Sequence, residues 1–446
     1  MNGKQETKKT KFRRGLSQSA RWLAPGLGVK RWLFLILAGT TLLGIGFGIY
    51  ILDIYRSTPP DAQAWWLSLL STVSLRSLSR PLRVVIFGGI GIGILLGGIY
   101  GLNRTLLSPY LKPGKTVVDT LAGHRRREKG PRIVAIGGGH GLAMLLRGLK
   151  NYSHNLTAVV AVADDGGSSG RLRRSMGILP PGDIRNCLAA LSNDETLMTQ
   201  LFQYRFANGS TELDGHSFGN LFISALAEIT GSFEGAVAES GRVLSVHGRV
   251  LPSSLRDVRL AADIVPPNTS QEIRVKGESR IPEMRGSIRR VWLEPDNPPA
   301  YPAVIKALLS ADMIVIGPGS LYTSILPNLL VPDIAAAIQA SSALKIYICN
   351  VATQSGETET FTVNDHIQAL EDHVGSGLFE LLICNQQCDG DLLDGMDWVK
   401  MGDSPVTDYP VYQADLTSDE EPWHHDETKL AQVLINIFQD RTGPLV

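Results

Sequence analysis

Hydrophobic residues are distributed differently in the first quarter of the chain and in the rest. The first quarter holds two long runs without a charged residue, at 32–52 and 84–103. Each run is long enough to cross the apolar core of a bilayer, which takes about 20 residues in a helix. We therefore predict a two-helix membrane hairpin over 32–103. Two buried helices of a soluble domain are the alternative.

Basic residues flank both ends of this hairpin. Residues 1–31 form an arm with nine Lys or Arg and a single acidic residue, and further basic residues follow the second run in a linker over 104–130. The positive-inside rule then places both ends in the cytoplasm. We expect the chain to sit at the inner cell membrane, with its functional domain, 131–446, on the cytoplasmic side.

The functional domain shows the pattern of an α/β protein. Continuous apolar runs of strand length, as expected for a parallel sheet buried on both faces, occur at 132–136, 156–163, 311–316 and 345–349. Stretches with helical spacing separate them. Between 257 and 294 polar and apolar residues alternate instead, which predicts a small antiparallel insert. The fold class is therefore α/β with a mostly parallel sheet.

Composition narrows the classes of function. The 43 basic residues balance the 43 acidic ones, so nothing in the overall charge favours nucleic-acid binding. The four cysteines lack the paired spacing of a zinc site or disulfide framework, and we expect buried thiols. His424 and His425 are adjacent, so their side chains diverge and no metal site is expected there.

Glycine turns follow two of the predicted strands. Neither turn fits a dinucleotide or Walker pattern. Glycines nevertheless let backbone N–H groups approach an anion at a helix N-terminus. The candidate phosphate ligands are Gly137, Gly138, Gly139, His140 and Gly141 in the first turn, and Gly317, Pro318, Gly319, Ser320, Tyr322, Thr323 and Ser324 in the second. Tight turns without a ligand and ordinary helix caps are the alternatives.

The segment VVAVADDGGSSGRLRR, 159–174, places two carboxylates beside glycines, serines and arginines at the end of a strand. Ligands of open α/β sheets bind at this end. A diphosphate with bound Mg²⁺ needs such a mixture, with Asp164 or Asp165 serving the metal. The candidate phosphate contacts are Gly166, Gly167, Ser168, Ser169, Gly170 and Arg171, the nearest cation. A capped turn with balanced charges is the alternative, and Arg173 and Arg174 are expected on a solvated face.

Three further segments add polar candidates. Asp183 is expected to cap the helix that carries Arg185 and Asn186. The start of an apolar helix carries His216 and Asn220, as ligand contacts or as structural residues. The loop after the strand at 345–349 contributes Asn350 and Gln354, and it could close over a ligand or contact a second subunit.

Together these segments resemble the CofD-like (2-phospho-L-lactate transferase) superfamily, and more closely its bacterial YvcK-type branch of gluconeogenesis factors. The stretches that carry the resemblance are AIGGGHGLAMLLRGLK, VAVADDGGSSGRLRR, LPPGDIRNCLAALS, LDGHSFGNLFI, GRVLPSS, IGPGSLYTSILPNLL and YICNVATQSGETETFTVNDHI. They run in family order from residue 131 to at least 385. His140 stands where the family often has threonine, and the hairpin is no part of the family core.

The resemblance implies a Rossmann-like domain that binds a nucleotide diphosphate, with Mg²⁺ as a possible cofactor and no tightly bound organic cofactor. On the YvcK-type branch it implies a regulator of cell shape, envelope and carbon metabolism that binds a UDP-sugar such as UDP-N-acetylglucosamine. We then expect a homodimer and a regulatory protein partner. On the transferase branch it implies transfer of a phospho-group, with Asp164 and Asp165 as the catalytic residues. Both functions remain open at this point.

Overall fold

The computed structural model describes residues 127–192, 197–207, 213–267, 269–402 and 409–442, with scattered positions between 37 and 96. The chain divides into two compact units, Met1–Arg125 and Arg126–Val446. The predicted arm, most of the hairpin and most of the linker lie outside the described residues. The positions described within 32–52 and 84–103 are helical.

A search of the described residues for helices that could cross a membrane finds no single helix of sufficient length and apolarity. Two consecutive short helices, Leu321–Leu329 and Pro332–Ala340, are long and apolar enough only when taken together, and the pair is bent by 74°. Most of its side chains are buried in the protein core.

Strands and helices alternate over much of the second unit. Its strands are β1 Ile133–Gly137, β2 Leu156–Val160, β3 Arg249–Pro252, β4 Arg259–Val265, β5 Ile273–Lys276, β6 Ser287–Glu294, β7 Met313–Ile316, β8 Leu344–Ile348, β9 Leu381–Asn385 and β10 Val411–Ala414. Its α-helices are α1 Gly139–Leu149, α2 Gly167–Met176, α3 Gly182–Leu191, α4 Leu197–Gln203, α5 Phe218–Thr230, α6 Phe233–Val243, α7 Pro302–Leu309, α8 Leu326–Leu329, α9 Pro332–Ala340, α10 Val363–Val374 and α11 Glu427–Thr442.

Seven strands form one sheet in the order β10-β9-β8-β7-β1-β2-β3, and every neighbouring pair is parallel. All residues of β1, β2, β7, β8 and β9 are buried, which explains why these strands are continuous apolar runs in the sequence. The predicted parallel α/β sheet is confirmed. Helices α3 and α11 both pack against α1, and α7 packs against α9.

The predicted insert is a separate three-stranded antiparallel sheet in the order β5-β4-β6. One face of β4 is buried in the common hydrophobic core, through Leu260, Ala262 and Ile264. The link between β5 and β6 carries two short 3-10 turns, Glu278–Arg280 and Pro282–Met284. The insert therefore brings a polar loop back to the main sheet.

The order of the main sheet reverses between β1 and β7. The chain proceeds from β1 to β2 on one side and from β7 to β8 on the other. In open α/β sheets, the crevice at the carboxyl ends of the strands at such a switch point is where ligands bind. The two predicted glycine turns follow these two strands, so the fold brings them together.

Both glycine turns lead into helical structure. Helix α1 begins at Gly139, inside the first glycine turn, so this turn already contributes N–H groups of a helix N-terminus. After the second turn the chain forms a π-helical turn, Leu321–Ile325, before the short helix α8. All five residues of this wider turn are buried.

Candidate functional site

A cleft of about 1080 Å³ opens at the switch point. Its walls come from both glycine turns, the acidic segment after β2, the loop after β8 and the segment before α11. The predicted residues that line it are Gly138, Gly139, His140, Gly141, Asp164, Asp183, Pro318, Gly319, Ser320, Thr323, Ser324, Asn350 and Gln354. Residues from five separate predicted segments thus meet in one cleft.

The two glycine turns touch each other across the switch point. A Cβ atom on Gly141 would lie 2.7 Å from the carbonyl oxygen of Pro318, so the approach requires glycine. Asn350 fixes the second turn, because its side chain accepts a hydrogen bond from the Gly319 N–H (3.3 Å) and donates one to the Gly319 carbonyl (3.0 Å). Gln354 donates a hydrogen bond to the hydroxyl of Ser320, the residue after Gly319, at 3.0 Å. Both turns are therefore held in fixed positions at the cleft.

Three of the acidic residues that line the cleft lie outside the segment before α11. Asp164 and Asp183 were predicted, and Glu278 of the insert was not. Burial, reinforced by the neighbouring acids, raises the pKa of Glu278 to about 8 and that of Asp183 to about 6. Burial also raises the pKa of Asp164. Without a cation, Glu278 therefore retains its proton near neutral pH.

Asp183 does not cap its helix, contrary to the prediction. Pro181 occupies the N-cap position of α3, and Asp183 lies in the first turn of that helix. Its carboxylate accepts a hydrogen bond from the Gly139 N–H instead. A Cβ atom on Gly138 would lie 2.6 Å from the same carboxylate. Asp183 is thus bound to the first glycine turn.

Asp165 contacts the insert and does not line the cleft. Its carboxylate accepts hydrogen bonds from the N–H and the hydroxyl of Ser279, at 3.0 and 2.9 Å. Ser279 follows Glu278 in the first of the two 3-10 turns. The adjacent aspartates therefore have different roles: Asp164 faces the cleft, and Asp165 holds the loop that presents Glu278.

A polar cluster of Ser168, Arg171, His216 and Asn220 lies outside the cleft lining. Arg171 Nε donates to His216 Nε2 (3.1 Å), so the neutral imidazole carries its proton on Nδ1, facing the Ser168 hydroxyl (3.1 Å). Burial and nearby arginines lower the pKa of His216, which favours this neutral form. Asn220 also donates to the Ser168 hydroxyl at 3.1 Å. Arg171, expected near the phosphates, is engaged here and with the Asp214 carbonyl (2.8 Å).

The other predicted residues outside the cleft lining are Gly137, Gly166, Gly167, Ser169, Gly170, Arg185, Asn186, Gly317 and Tyr322. Several support its walls. Ser169 accepts a hydrogen bond from the Gly182 N–H (3.1 Å) and bonds the Asp164 carboxylate. Arg185 is buried and donates to Asn186 (2.8 Å), while its Nε has no partner among the described residues. Their roles as ligand contacts remain predictions.

Arg173 is buried, and its prediction as part of a solvated face was wrong. Its guanidinium donates to the carbonyl oxygens of Ala163 (3.4 Å), Asp164 (3.2 Å) and Val258 (2.6 Å) and forms an ion pair with Asp257. The arginine thus joins the acidic turn to the segment leading into β4. Arg174 is exposed, as predicted.

The segment before α11 supplies much of the cleft that sequence reasoning missed. We call residues 415–428 the C-terminal strap. Its members in the lining are Ser418, Asp419, Glu420, Glu421, Trp423, His424, His425, Asp426, Glu427 and Thr428. Among these residues, sequence reasoning considered only His424 and His425, and it considered them as possible metal ligands. The strap residues reach the cleft because α11 packs on α1, and no local sequence pattern reveals that packing.

The cleft suits a hydrated Mg²⁺ better than a fully protein-bound metal. Within the described parts of the chain, no group of three or more His, Cys, Asp or Glu side chains is arranged to hold a metal ion by itself. Mg²⁺ is usually bound through one or two carboxylates together with substrate phosphates and water. Asp164 and Asp183, beside the glycine turns, match that donor set.

Comparisons with known proteins agree with this architecture. The family model described as 2-phospho-L-lactate transferase CofD matches residues 133–442. A Nostoc sp. relative is 48% identical over 396 residues, which cover 87% of this chain and 83% of the relative. The gluconeogenesis factor of Bacillus subtilis is 44% identical over 319 residues, 70% of this chain and 99% of that protein.

A crystal structure of a Bacillus halodurans protein matches with a TM-score of 0.63 and 40% identity, covering 69% of this chain and all of that one. The region that the family model matches, 133–442, contains both glycine turns, the acidic segment and the strap. The chain belongs to the CofD family, and its relatives place it on the gluconeogenesis-factor branch.

Proposed function

We propose that the protein is a regulator of the gluconeogenesis-factor type that binds a UDP-sugar, such as UDP-N-acetylglucosamine, together with Mg²⁺ in the switch-point cleft. In this proposal it works as a homodimer at the inner membrane, held by the hairpin, and acts on cell shape, envelope and carbon metabolism through a protein partner. The observation that carries the proposal is the meeting of two glycine turns with Asp164 and Asp183 at one cleft.

The charge of the cleft supports a requirement for Mg²⁺. Among the described lining residues, eight are acidic and one, Arg147, is a Lys or Arg. That arginine is already paired with Glu427 at 3.0 Å. A diphosphate brings further negative charge, so it needs a cation beyond those of the protein. Backbone N–H groups of the glycine turns would bind the phosphate oxygens that the metal leaves free.

The relatives named gluconeogenesis factor support the regulator. The alternative is a Mg²⁺-dependent transferase of a nucleotide-linked phospho-group, and the buried acidic group is the observation that keeps it open. Phosphoryl-type transfer relies on positioning and charge neutralisation, with little need for a protein nucleophile. In that case Asp164 would act at the cleft, and Asp165 would position Glu278. Binding and transfer require the same ligand contacts, so experiment must separate them.

Calorimetric titration of the full chain separates the two functions. The ligands are UDP-N-acetylglucosamine and GTP, each with and without Mg²⁺, and the variants are Asp164→Asn and Asp183→Asn. Asp296→Asn, at an exposed position on the insert side, is the matched control. The regulator predicts Mg²⁺-dependent binding of an intact UDP-sugar that both cleft variants weaken. Consumption of the ligand or a preference for GTP would favour the transferase, and binding of neither nucleotide would reject both.

A further inference from the structure

The C-terminal strap is a rigid part of the cleft wall. Lys429 donates to Asp415 (2.8 Å) and to the Thr417 carbonyl (2.9 Å), which ties the two ends of the strap together. Buried His425 contacts the Cys349 carbonyl at 3.2 Å. The Asp426 N–H donates to the Leu416 carbonyl at 2.7 Å. The backbone of the strap is therefore fixed at both ends before any ligand binds.

Trp423 is the aromatic surface that the strap presents. Part of its indole packs against the hydrophobic core and part lines the cleft. Of the lining residues that the structure describes, it is the only Trp, Tyr or Phe. Met144 and Met396 line the same cleft and offer polarizable apolar surface. A planar ring of a ligand can stack here without displacing the protein.

The charges of the strap determine which part of a nucleotide it can accept. Asp419, Glu420 and Glu421 line the cleft near Trp423 in the sequence, and they disfavour a phosphate beside them. Carboxylates accept hydrogen bonds from hydroxyl groups, so a ribose suits this wall. The phosphates belong at the glycine turns, where N–H groups and a metal are available. The strap therefore suits the uncharged nucleoside part of the ligand.

We propose that Trp423 forms the base-stacking subsite of the cleft and holds the pyrimidine ring of the bound nucleotide. This inference rests on the proposed function, because it assumes a nucleotide diphosphate at the glycine turns. Stacking on an aromatic side chain tolerates different bases, since every base has a π face. Trp423 therefore contributes affinity for the nucleoside, and base identity is read elsewhere.

The test compares four ligands on the full chain in the presence of Mg²⁺: UDP-N-acetylglucosamine, UDP, N-acetylglucosamine 1-phosphate and inorganic pyrophosphate. Trp423→Ala should weaken UDP and UDP-N-acetylglucosamine about 5- to 150-fold, the range that one stacked base is worth. It should leave pyrophosphate and the sugar phosphate unchanged. Trp423→Phe should restore most of the loss. Trp292→Ala, which removes an indole that stacks under Arg274 on the insert, should change none of the four.

Three results would overturn the subsite. Unchanged UDP affinity in Trp423→Ala would show that no base stacks there. An equal loss for pyrophosphate would show that the substitution disturbs the strap as a whole. A loss for the sugar phosphate without a loss for UDP would assign the indole to the sugar. A wild-type chain that binds none of the four ligands would overturn the proposed function itself, and the subsite with it.

Discussion

Two consecutive arginines after the acidic turn have opposite environments. Arg173 is buried and donates to three backbone carbonyls, whereas Arg174 is exposed. Arg173→Met should lower the free energy of unfolding by about 3 kcal/mol, because buried carbonyls lose their donors. Arg174→Met, the matched control, should stay within about 0.5 kcal/mol of the wild type. Urea denaturation measures both, and equal effects would refute the structural role of Arg173.

The raised pKa values of Asp183 and Glu278 predict how ligand binding depends on pH. The folded chain holds these protons up to about pH 6 and about pH 8, well above the usual carboxyl values of 3.8 and 4.5. A metal must displace the protons, so affinity for nucleotide with Mg²⁺ should rise from pH 6 to pH 8. Calorimetry at the two pH values measures this change, and Glu278→Gln should reduce it. A dependence unchanged in the variant would exclude Glu278 as its source.

Asp183 and Glu278 also make the stability of the fold depend on pH, in the direction opposite to that of ligand affinity. Their pKa is raised on folding, so the metal-free folded chain binds more protons than the unfolded chain between the two sets of values. The contribution of these groups is therefore most favourable at low pH and is lost as the pH rises toward 8. Saturating Mg²⁺ and nucleotide should recover that stability at pH 8, because they bind the deprotonated form.

The roles of single residues were the least predictable feature from the sequence. Asp164 and Asp183 were identified because each follows a readable signal, the end of a strand and the start of a helix. Glu278 follows an alternating strand of the insert and Trp423 lies in a segment without periodicity, and they reach the cleft only through the folding of the insert and the packing of α11. Adjacent residues also diverge, as Asp165 does from Asp164. Spacing identifies where a polar residue occurs in the chain, and tertiary packing decides which way it faces.

At the scale of elements, the contact between α1 and α11 positions the strap. A Cβ atom on Gly148 would lie 2.0 Å from the Glu427 carbonyl and 2.8 Å from the Ala431 side chain. Gly148→Ala should therefore displace α11, cost about 1–3 kcal/mol of stability through overpacking and weaken nucleotide binding through the strap. Denaturation and calorimetry on the same variant measure the two effects.

A second helical glycine provides the matched control for this contact. Gly241 lies in α6, and a Cβ atom there would meet only side-chain atoms at 3.7 and 3.8 Å, ordinary contact distances. Gly241→Ala should raise stability by up to about 1 kcal/mol, because alanine favours a helix. If Gly148→Ala and Gly241→Ala both lowered stability, the close packing at Gly148 would not be the reason for the loss.

Elements were predicted well where burial leaves a local pattern. The four runs proposed as parallel strands coincide with β1, β2, β7 and β8 to within a few residues, because a strand covered on both faces reads as a continuous apolar run. The alternating pattern of the insert was equally clear. In contrast, β10 has no fully buried residue, so the element that leads into the strap carried no comparable signal.

At the scale of the whole molecule, strand order creates the site. The two glycine turns are about 180 residues apart in the chain, and they meet because β1 and β7 are neighbours. No periodicity encodes that pairing. The resemblance to a known family implied a Rossmann-like domain that binds a nucleotide diphosphate. The structure supplies the physical reason for the site, because the switch point brings both glycine turns to one crevice.

The chain divides into two compact units, Met1–Arg125 and Arg126–Val446, whose folding can be tested separately. The unit Arg126–Val446 contains one contiguous hydrophobic core, so it should fold when residues 1–125 are removed. We expect this fragment in the soluble fraction with the nucleotide affinity of the full chain. The full chain should sediment with membranes and require detergent for extraction, since two runs of about 20 apolar residues insert stably. Sedimentation of both forms, each expressed in cells, tests the anchor, and nucleotide titration tests the independence of the cleft. A full chain released by high salt alone would indicate that the basic arm binds the membrane surface and that the runs do not cross it.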